Sequence, residues 1–353
     1  MSTIYDVYGN PLIEGEDISH LEDLLPNRLL VWHDEFDKPQ IDTNKWRHIW
    51  TTIDYAKNLN LVTESGNGLK YKSIKDHRKG SQSDYSSPEL MTSGKFEFRY
   101  GRIEAKIKFP SNVPYHSTFW TLGAPHVRVN SSDNETFSET KRGMYFPSCG
   151  EIDIAECDSA TVGARTHWSS GGIDTTETYQ TGGNINSLTN TPTEWHIYSC
   201  EWTESSISFY VDGVQKSTWN TSNATVSGWN PFKIPHYIIL NCIPALSGTP
   251  SWDIAQTEVK WVRVYAPVGV SEYIPETGIS IDSTTSITVG QRKWLSSTFT
   301  PANPSDMTLN WLSHNEDIVT CYGGMLVGVS AGTTYVQCTT KRGFTALCKV
   351  TVS

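Results

Sequence analysis

The chain has 353 residues, 37% of them hydrophobic, which is long enough for two domains and apolar enough for a real core. Its formal net charge of −10 disfavours nucleic acid or an anionic membrane surface as a partner. No apolar run approaches the length of about 18 residues that a membrane span needs. The 13 Trp and 16 Tyr residues exceed what a core requires, and flat aromatic rings can stack on sugars.

The N-terminal region, residues 1–28, has no basic start followed by an apolar run of the signal-peptide type. It predicts an acidic arm with one short amphipathic turn. If the protein acts at the cell surface or outside the cell, either a leader has been removed or export follows another route. A virion-borne enzyme is a third alternative.

Alternating patterns predict strands from Leu29 onward. In residues 96–100, aromatic residues alternate with charged ones, and residues 103–109 alternate again after Gly101 has changed the phase. We therefore predict two half-buried strands that meet at a bend.

Three later segments also indicate strands. Residues 207–211 run into Asp212-Gly213, a pair typical of the type I′ turn of a β-hairpin. Residues 237–240 form a short apolar run suited to a strand buried on both faces, and residues 259–265 form another strand. No helix longer than two turns is indicated, so the fold is predicted to be all-β.

A domain boundary is predicted after Tyr265. Residues 267–278 carry two Pro and two Gly without periodicity, as a linker does, and we expect few contacts across it. The division is therefore an arm at 1–28, a large domain at 29–266, the linker, and a small domain at 279–353. The seven cysteines cannot all pair, so buried free thiols are expected, with a pair between Cys338 and Cys348 left open.

Residues 151–156 place three carboxylates among apolar residues of a predicted strand. Glu151 and Asp153 are two residues apart and share a face, whereas Glu156 should point to the other face. A one-residue β-bulge near Ile154 and Ala155 would bring it to the same side. A surface strand with solvated acids is the simplest alternative, but no basic or hydroxyl residue interrupts these acids. We therefore predict a functional cluster.

Such a cluster suits the hydrolysis of a glycosidic bond. One carboxylate attacks the anomeric carbon and one carboxylic acid protonates the leaving oxygen, with the two groups about 5–5.5 Å apart in a retaining enzyme. Glu151 and Glu156 can supply these groups. The charge of Asp153 between them would help to keep Glu156 protonated near neutral pH.

At these residues the chain resembles glycoside hydrolase family 16. The sequence Glu-Ile-Asp-Ile-Ala-Glu resembles the family's Glu-x-Asp-x-x-Glu signature, in the bulged form typical of laminarinase-like members. Segments similar to other family strands follow in the expected order, at residues 31–36, 94–105, 119–120, 166–168, 201–203 and 262–265. The resemblance covers residues 29–266 and implies a concanavalin-like β-sandwich, or jelly roll.

The resemblance also implies roles for individual residues. It makes Glu151 the nucleophile, Glu156 the acid/base and Asp153 their helper. It matches Trp120 to a tryptophan that forms the floor of the sugar subsite before the scissile bond, and core packing is the alternative for that side chain.

Further substrate-binding residues come from the same resemblance. His167, with its neighbour Trp168, matches a histidine in the groove near the acid/base, where a purely structural histidine is the alternative. Asn241 matches a sugar-binding asparagine, or simply caps the end of its strand.

Departures from the family pattern limit the assignment of the substrate. His116 begins a run, His-Ser-Thr, where glucanases usually have Trp-Pro-Ala, and Phe146 replaces a common tryptophan, so two sugar-stacking surfaces are altered. Lys260 lies where many members have an aspartate that binds a structural calcium. We expect neither a metal there nor any other cofactor.

The C-terminal segment, residues 279–353, resembles the bacterial immunoglobulin-like group 2 module, a small β-sandwich. It contains no catalytic cluster, and we expect it to be a spacer or to contact a cell surface or a glycan.

The leading prediction is a retaining endo-β-1,3(4)-glucanase whose partner is a polysaccharide or oligosaccharide. The altered aromatics keep an endo-hydrolase of β-galactan or host glycans as an alternative. A non-catalytic carbohydrate-binding protein is a further alternative, although such a protein would not need three acids on one bulged strand.

Overall fold

The computed structural model describes residues 21–50, 61–64, 68–75, 85–110, 115–126, 143–158, 161–174, 179–189, 191–244 and 253–353. Residues 1–20 of the predicted arm lie outside this part. Within it, the helical segments are two short 3-10 turns, Thr221–Ala224 and Pro231–Lys233, and none is long and apolar enough to span a membrane. The predicted all-β class is confirmed.

The strands of the large domain are β1 (Leu30–Asp34), β2 (Arg47–Trp50), β3 (Leu61–Glu64), β4 (Gly68–Lys75), β5 (Tyr85–Ser86), β6 (Pro88–Met91), β7 (Gly101–Lys108), β8 (Tyr115–Gly123), β9 (Glu151–Cys157), β10 (Val162–Ser169), β11 (Tyr179–Thr189), β12 (His196–Trp202), β13 (Ser206–Val211), β14 (Val214–Asn220), β15 (His236–Pro244) and β16 (Ile254–Tyr265). They form two large sheets. One has the order β14-β13-β12-β7-β16-β4-β3, with β1 beside β16 and β5 beside β4, and the other has the order β11-β10-β9-β8-β15-β6-β2.

The main core lies between these two sheets. Strands of both sheets contribute buried side chains, including Ile107 and Val262 from one and Phe119 and Ile154 from the other. Because side chains alternate along a strand, each inward residue of the seven-stranded sheet is followed by one on its opposite face, which we call the cleft face. The sheets thus form the predicted sandwich.

The small domain contains β17 (Gly278–Ile281), β18 (Thr284–Ile287), β19 (Arg292–Trp294), β20 (Ser297–Thr300), β21 (Leu309–Ser313), β22 (Val319–Tyr322), β23 (Met325–Gly328), β24 (Gly332–Thr340) and β25 (Thr345–Val352). These strands form sheets of the orders β17-β20, β18-β25-β24-β21 and β19-β23-β22. They enclose a separate core that includes Leu326, Val336 and Val350. All seven cysteines of the chain lie in the described residues, where they are buried and form no disulfide.

The predicted hairpin and the predicted bend are both present. Asp212 and Gly213 join β13 to β14 with φ angles of 51° and 77°, as a type I′ turn requires. Tyr100 and Gly101, with φ angles of 67° and 109°, form the bend before β7.

The strand predicted at residues 96–100 is wrong. This segment makes a single isolated bridge, between Phe98 and His236. The backbone of Glu97 instead bonds to the small domain, accepting from the N–H of Met307 at 2.6 Å and donating to the hydroxyl of Thr308 at 2.9 Å. Its backbone groups are satisfied across the domain boundary rather than in a sheet ladder.

The expectation of few contacts across the linker is wrong as well. In the linker, Ile274 and Ser305 exchange hydrogen bonds, and Val270 and Tyr273 pack against the main core. A Cβ added to Gly323 would lie 2.6 Å from the Cα of Pro125, so the two domains approach backbone to backbone. Pro and Gly give the linker an irregular backbone, but they do not prevent it from packing against the domains.

Candidate active site

The three acids of β9 reach one face through a bulge. On β8, Phe119 pairs with Ala155 and Trp120 pairs with Asp153, so Ile154 is an extra residue without a partner. The register against β10 shifts at the same place. Ile154 and Ala155 both point into the main core, which resets the alternation. The bulge predicted from the sequence is confirmed.

The bulge brings Glu151, Asp153 and Glu156 to one cavity of about 240 Å³ on the cleft face. Strands β6, β8 and β15 contribute its remaining lining residues, which are Glu89, His116, Thr118, Trp120, Asn241 and Ile243. The two glutamate side chains are each 13% exposed, so they remain accessible from the cavity while most of their surface is removed from water.

His167 connects the first two acids from the neighbouring strand β10. Its Nε2 lies 2.9 Å from Oδ2 of Asp153 and 3.6 Å from Oε1 of Glu151. The Tyr179 hydroxyl lies 3.2 Å from the same nitrogen, and the Tyr179 ring stacks on the imidazole at 4.8 Å. Burial, together with the charges of Glu151 and Asp153, raises the pKa of Tyr179 to about 12. These contacts restrict the orientation of Asp153 and place a neutral phenol beside the acids.

Glu156 lies among groups of both signs. Burial and then the charge of Asp153 raise its pKa, against the opposing charges of Arg165 and His116. His116 Nδ1 is 3.8 Å from Glu156 and hydrogen-bonded to Asp158. Burial lowers the pKa of His116, but the hydrogen bond and charge of Asp158 outweigh it, so this pKa is raised overall. A raised pKa on Glu156 is what a general acid requires.

Trp120 lies on the cleft face with its indole held in place. Its Nε1 donates to Oδ1 of Asn241 at 2.7 Å, and the hydroxyl of Thr118 donates to the same oxygen. The preceding residue, Phe119, is fully buried in the main core. The structure therefore places both Trp120 and Asn241 at the cavity.

The remaining predicted substrate-binding residues divide into two groups. His116 lines the cavity, and Phe146, which is 37% exposed, lies 5.9 Å from the ring of Tyr179. Trp168, by contrast, is in the main core, where its ring lies 4.9 Å from that of Trp219. Because neighbouring residues of a strand face opposite ways, His167 and Trp168 cannot both point to the cleft. Trp168 is therefore removed from the candidate set.

Several residues of the site were not predicted from the sequence, among them Arg165, Glu89 and Tyr179. Arg165, on β10, pairs with Glu156, Glu89 lines the cavity from β6, and Tyr179 covers His167 from β11. The signal for Arg165 was its spacing of two residues from His167, which predicts a shared face. Glu89 and Tyr179 had no comparable local signal, because the pairing of distant strands brings them to the site.

Ligand-type side chains form two trios at the site, and the ligand atoms of each trio lie within 4.8 Å of one another: His116, Glu156 and Asp158, and Glu151, Asp153 and His167. A metal on either trio would occupy a glutamate needed for retaining hydrolysis. At the position where the family resemblance implies a calcium ligand, the ammonium group of Lys260 lies 5.3 Å from the ring centroid of Trp195. A cationic side chain does not fit a calcium ligand set.

Sequence comparison finds relatives over most of the large domain. The glucan endo-1,3-beta-glucosidase A1 of Niallia circulans is 27% identical over 315 residues, 74% of this chain and 42% of that protein. A beta-glucanase of Rhodothermus marinus is 29% identical, covering 70% of this chain and 88% of that protein. The keratan-sulfate endo-1,4-beta-galactosidase of Sphingobacterium multivorum is 26% identical over 67% of this chain and 54% of that protein. The chain thus spans about half or less of two of these relatives.

A solved structure agrees with the sandwich. LamAcat from Zobellia galactanivorans, at 29% identity, superposes with a TM-score of 0.51 over 68% of this chain and 98% of that one. Residues 276–350 match the bacterial Ig-like domain (group 2), and residues 54–263 match the glycosyl hydrolases family 16. The second match spans more than half of the chain and includes the bulged strand with its three acids. The chain belongs to glycosyl hydrolase family 16.

Proposed function

We propose that this protein is a retaining, endo-acting hydrolase of a β-linked glucan, with residues 29–266 as its catalytic domain. One observation carries the proposal: a single bulged strand presents Glu151, Asp153 and Glu156 to the same cavity beside Trp120. Two carboxyl groups and one stacking ring are the parts that glycosidic hydrolysis requires.

In the first step, the Glu151 carboxylate attacks the anomeric carbon while Glu156 donates its proton to the leaving glycosidic oxygen. The bond to the leaving sugar breaks, and a glycosyl ester on Glu151 forms. Asp153 supports both groups, since its charge favours the protonated form of Glu156 and its 2.9 Å contact with His167 restricts its orientation.

In the second step, Glu156 is a carboxylate and acts as a base. It takes a proton from a water molecule, whose oxygen attacks the anomeric carbon, and Glu151 leaves as a carboxylate. Two inversions restore the β configuration. Glu156 ends protonated, which prepares it for the next cycle.

The relatives support β-1,3- and mixed-linkage β-glucans as substrates, since a glucan endo-1,3-beta-glucosidase and beta-glucanases are among them. Two observations favour a β-galactan or host glycan as the second candidate. One is the relationship to a keratan-sulfate endo-1,4-beta-galactosidase. The other is the presence of His116 and Phe146 where glucanases have other stacking residues.

The decisive experiment is reducing-sugar release from laminarin, a mixed-linkage glucan, agarose and keratan sulfate. We expect oligosaccharides of several lengths from laminarin or the mixed-linkage glucan. NMR of the reaction should show that the β-anomer of the product is formed first. Glu151→Ser should lower turnover at least about a thousandfold in folded protein. Glu258→Gln is the matched control, because Glu258 pairs with Lys108 at 3.4 Å on the other sheet.

Glu156→Gln adds a test of the acid role. It should lower the hydrolysis of polymer far more than that of an aryl glycoside with an activated leaving group, which needs no protonation. An equal loss on both substrates would contradict the role. Wild-type protein that binds a glycan but releases no sugar from any of the four would instead support a carbohydrate-binding protein.

We propose that the enzyme acts outside the cell, at the cell surface or on a virion. The support is chemical, since a polysaccharide that lies outside a cell is too large to cross its membrane, so the enzyme has to meet it there. Detection of activity in the medium, the surface fraction or the virion fraction would separate these locations.

A further inference from the structure

The small domain covers part of the cleft face. Tyr237 and Ile239 alternate with residues of the main core, yet they too are fully buried. They belong to a second buried cluster together with Met91, Leu122 and Met325. Met325 comes from β23 of the small domain, so this domain helps to bury the cleft face of β15, together with Met144 and Cys149 of the large domain.

The same domain reaches the turn that precedes β9. Trp294 of β19 packs edge-on against Trp229, with ring centroids 4.9 Å apart and planes at 78°. Trp229 in turn donates from Nε1 to the carbonyl oxygen of Ser148 at 3.0 Å. Ser148 belongs to residues 145–150, which we call the nucleophile turn because Glu151 follows it directly.

Arg292, also on β19, contacts the nucleophile turn more directly. Its guanidinium lies 2.5 and 3.1 Å from the two carboxylate oxygens of Asp174 and donates to the carbonyl oxygen of Gly143. Its Cζ atom also lies over the ring of Tyr145, 4.1 Å from the ring centroid. Asp174 completes the contact by accepting from the backbone N–H of Tyr145 at 3.1 Å. A bidentate, stacked arginine fixes both partners in direction as well as in distance.

The nucleophile turn carries Phe146, and Phe146 leads back to the acids. Its ring lies 5.9 Å from that of Tyr179, which stacks on His167, and Nε2 of His167 lies 2.9 Å from the carboxylate of Asp153. A continuous set of contacts therefore runs from Arg292 of the small domain to the catalytic strand.

We propose that the immunoglobulin-like domain supports the substrate cleft from behind the nucleophile turn, and that Arg292 is the positioning residue through which it holds Phe146 in place for the sugar chain. The part concerning sugar rests on the proposed function. The small domain is then neither a detachable spacer nor an independent adhesion unit, because the nucleophile turn depends on it.

The first test follows the nucleophile turn itself and needs no substrate. In Arg292→Ala, amide hydrogen exchange of residues 145–150 should accelerate about tenfold or more, since the contacts that close the turn are lost. Arg292→Lys keeps the charge without the planar fork and should be intermediate. Lys293→Ala is the matched control, because Lys293 is exposed on the same strand and donates to Thr285 within its own domain. Unchanged exchange in a folded Arg292→Ala protein overturns the proposal whatever the enzyme cleaves.

The second test asks whether the turn serves substrate binding. Arg292→Ala should raise KM for long oligosaccharides about tenfold and change kcat less than about twofold, because His167 still holds Asp153. In a Phe146→Ala background the same substitution should have no further effect on KM, as expected for residues that act in series. Additive effects in the double variant would overturn the role of Arg292 in positioning Phe146.

The two tests separate the two proposals. Faster exchange in Arg292→Ala together with a wild-type protein that cleaves none of the four glycans refutes the proposed function and supports the contact between the domains. Faster exchange with an unchanged KM refutes the cleft role of the small domain while leaving the hydrolase proposal intact.

Discussion

Arg165 Nε lies 2.6 Å from Oε2 of Glu156, across the pair of strands β9 and β10. The contact is an ion pair rather than a directed hydrogen bond. It opposes the charge of Asp153, which acts on the same carboxyl group with the opposite sign. The charge of Asp153 thus favours the protonated form of Glu156, and the charge of Arg165 favours its carboxylate form.

The pH profile of the enzyme should report this balance. The first chemical step needs protonated Glu156, so the alkaline limb of kcat/KM follows its pKa. Arg165→Ala removes a cation, stabilises the protonated form and should move that limb to higher pH. Asp153→Asn removes an anion and should move it to lower pH. Lys106→Ala is the control, because Lys106 lies on the other sheet, where it pairs with Asp23 of the N-terminal segment. Alkaline limbs that keep the wild-type position in both variants, or that shift in the same direction, would contradict the assignment of Glu156 as the acid.

Trp120 and Trp168 should respond in opposite ways to removal. Trp120→Ala removes a stacking surface worth about 1–3 kcal/mol, which corresponds to a rise in KM of about 5- to 150-fold, with a small change in Tm. Trp168→Ala leaves a hole in the main core and should cost about 3–5 kcal/mol of the free energy of unfolding, with kcat/KM per folded molecule unchanged. Thermal melts and kinetics on the same samples check both. The reversed pattern would show that the cleft is misplaced.

Glu97 should make the stability of the protein depend on pH. Burial, with a further contribution from the charge of Asp306, raises the pKa of Glu97 from 4.5 to about 8. The folded state keeps this proton up to about pH 8, whereas the unfolded chain releases it near pH 4.5, so the contribution of Glu97 falls as pH rises between these values. Glu97→Gln should match wild type in Tm at pH 4 and exceed it at pH 8. Glu272→Gln, at an exposed linker position, should shift neither.

Truncation after Tyr265 should damage the large domain. It exposes Met91, Tyr237 and Ile239, which the small domain helps to bury, and an exposed apolar patch promotes aggregation. We expect lower solubility and a lower urea midpoint than in the full chain. A truncated protein as soluble and stable as the full chain would show that the domain interface contributes little.

A single substitution gives a finer measure of the same interface. Met325→Ala should cost about 2–5 kcal/mol of the free energy of unfolding, because its side chain is buried against the cleft face. Val329→Ala, at a residue 45% exposed in the same domain, should change it by less than about 0.5 kcal/mol. Chemical denaturation measures both. Equal costs for the two substitutions would show that Met325 contributes little to the stability of the interface.

Local spacing in the sequence was enough to predict several features of the fold and site. The Asp212-Gly213 turn follows from the φ angles that only certain residues tolerate. The bulge at Ile154 follows from three acids whose spacing fits one face only if one residue is extra. The burial of residues 237–240 on both faces follows from their continuous apolar character. Each of these depends on the chain's own alternation, which is visible without knowing any partner strand.

Only the tertiary structure decided which distant residues meet. Arg165 and Tyr179 join the acids because β10 and β11 lie beside β9, and strand order is not encoded in spacing. The side chain of Trp168 points into the core because its neighbour His167 points to the cleft, and adjacent residues of a strand face opposite ways. Met325 covers Tyr237 and Arg292 holds the turn that carries Phe146, and each of these small-domain residues lies more than eighty residues further along the sequence than its partner. Contacts of this kind depend on how two folded surfaces fit, and no local pattern records that fit.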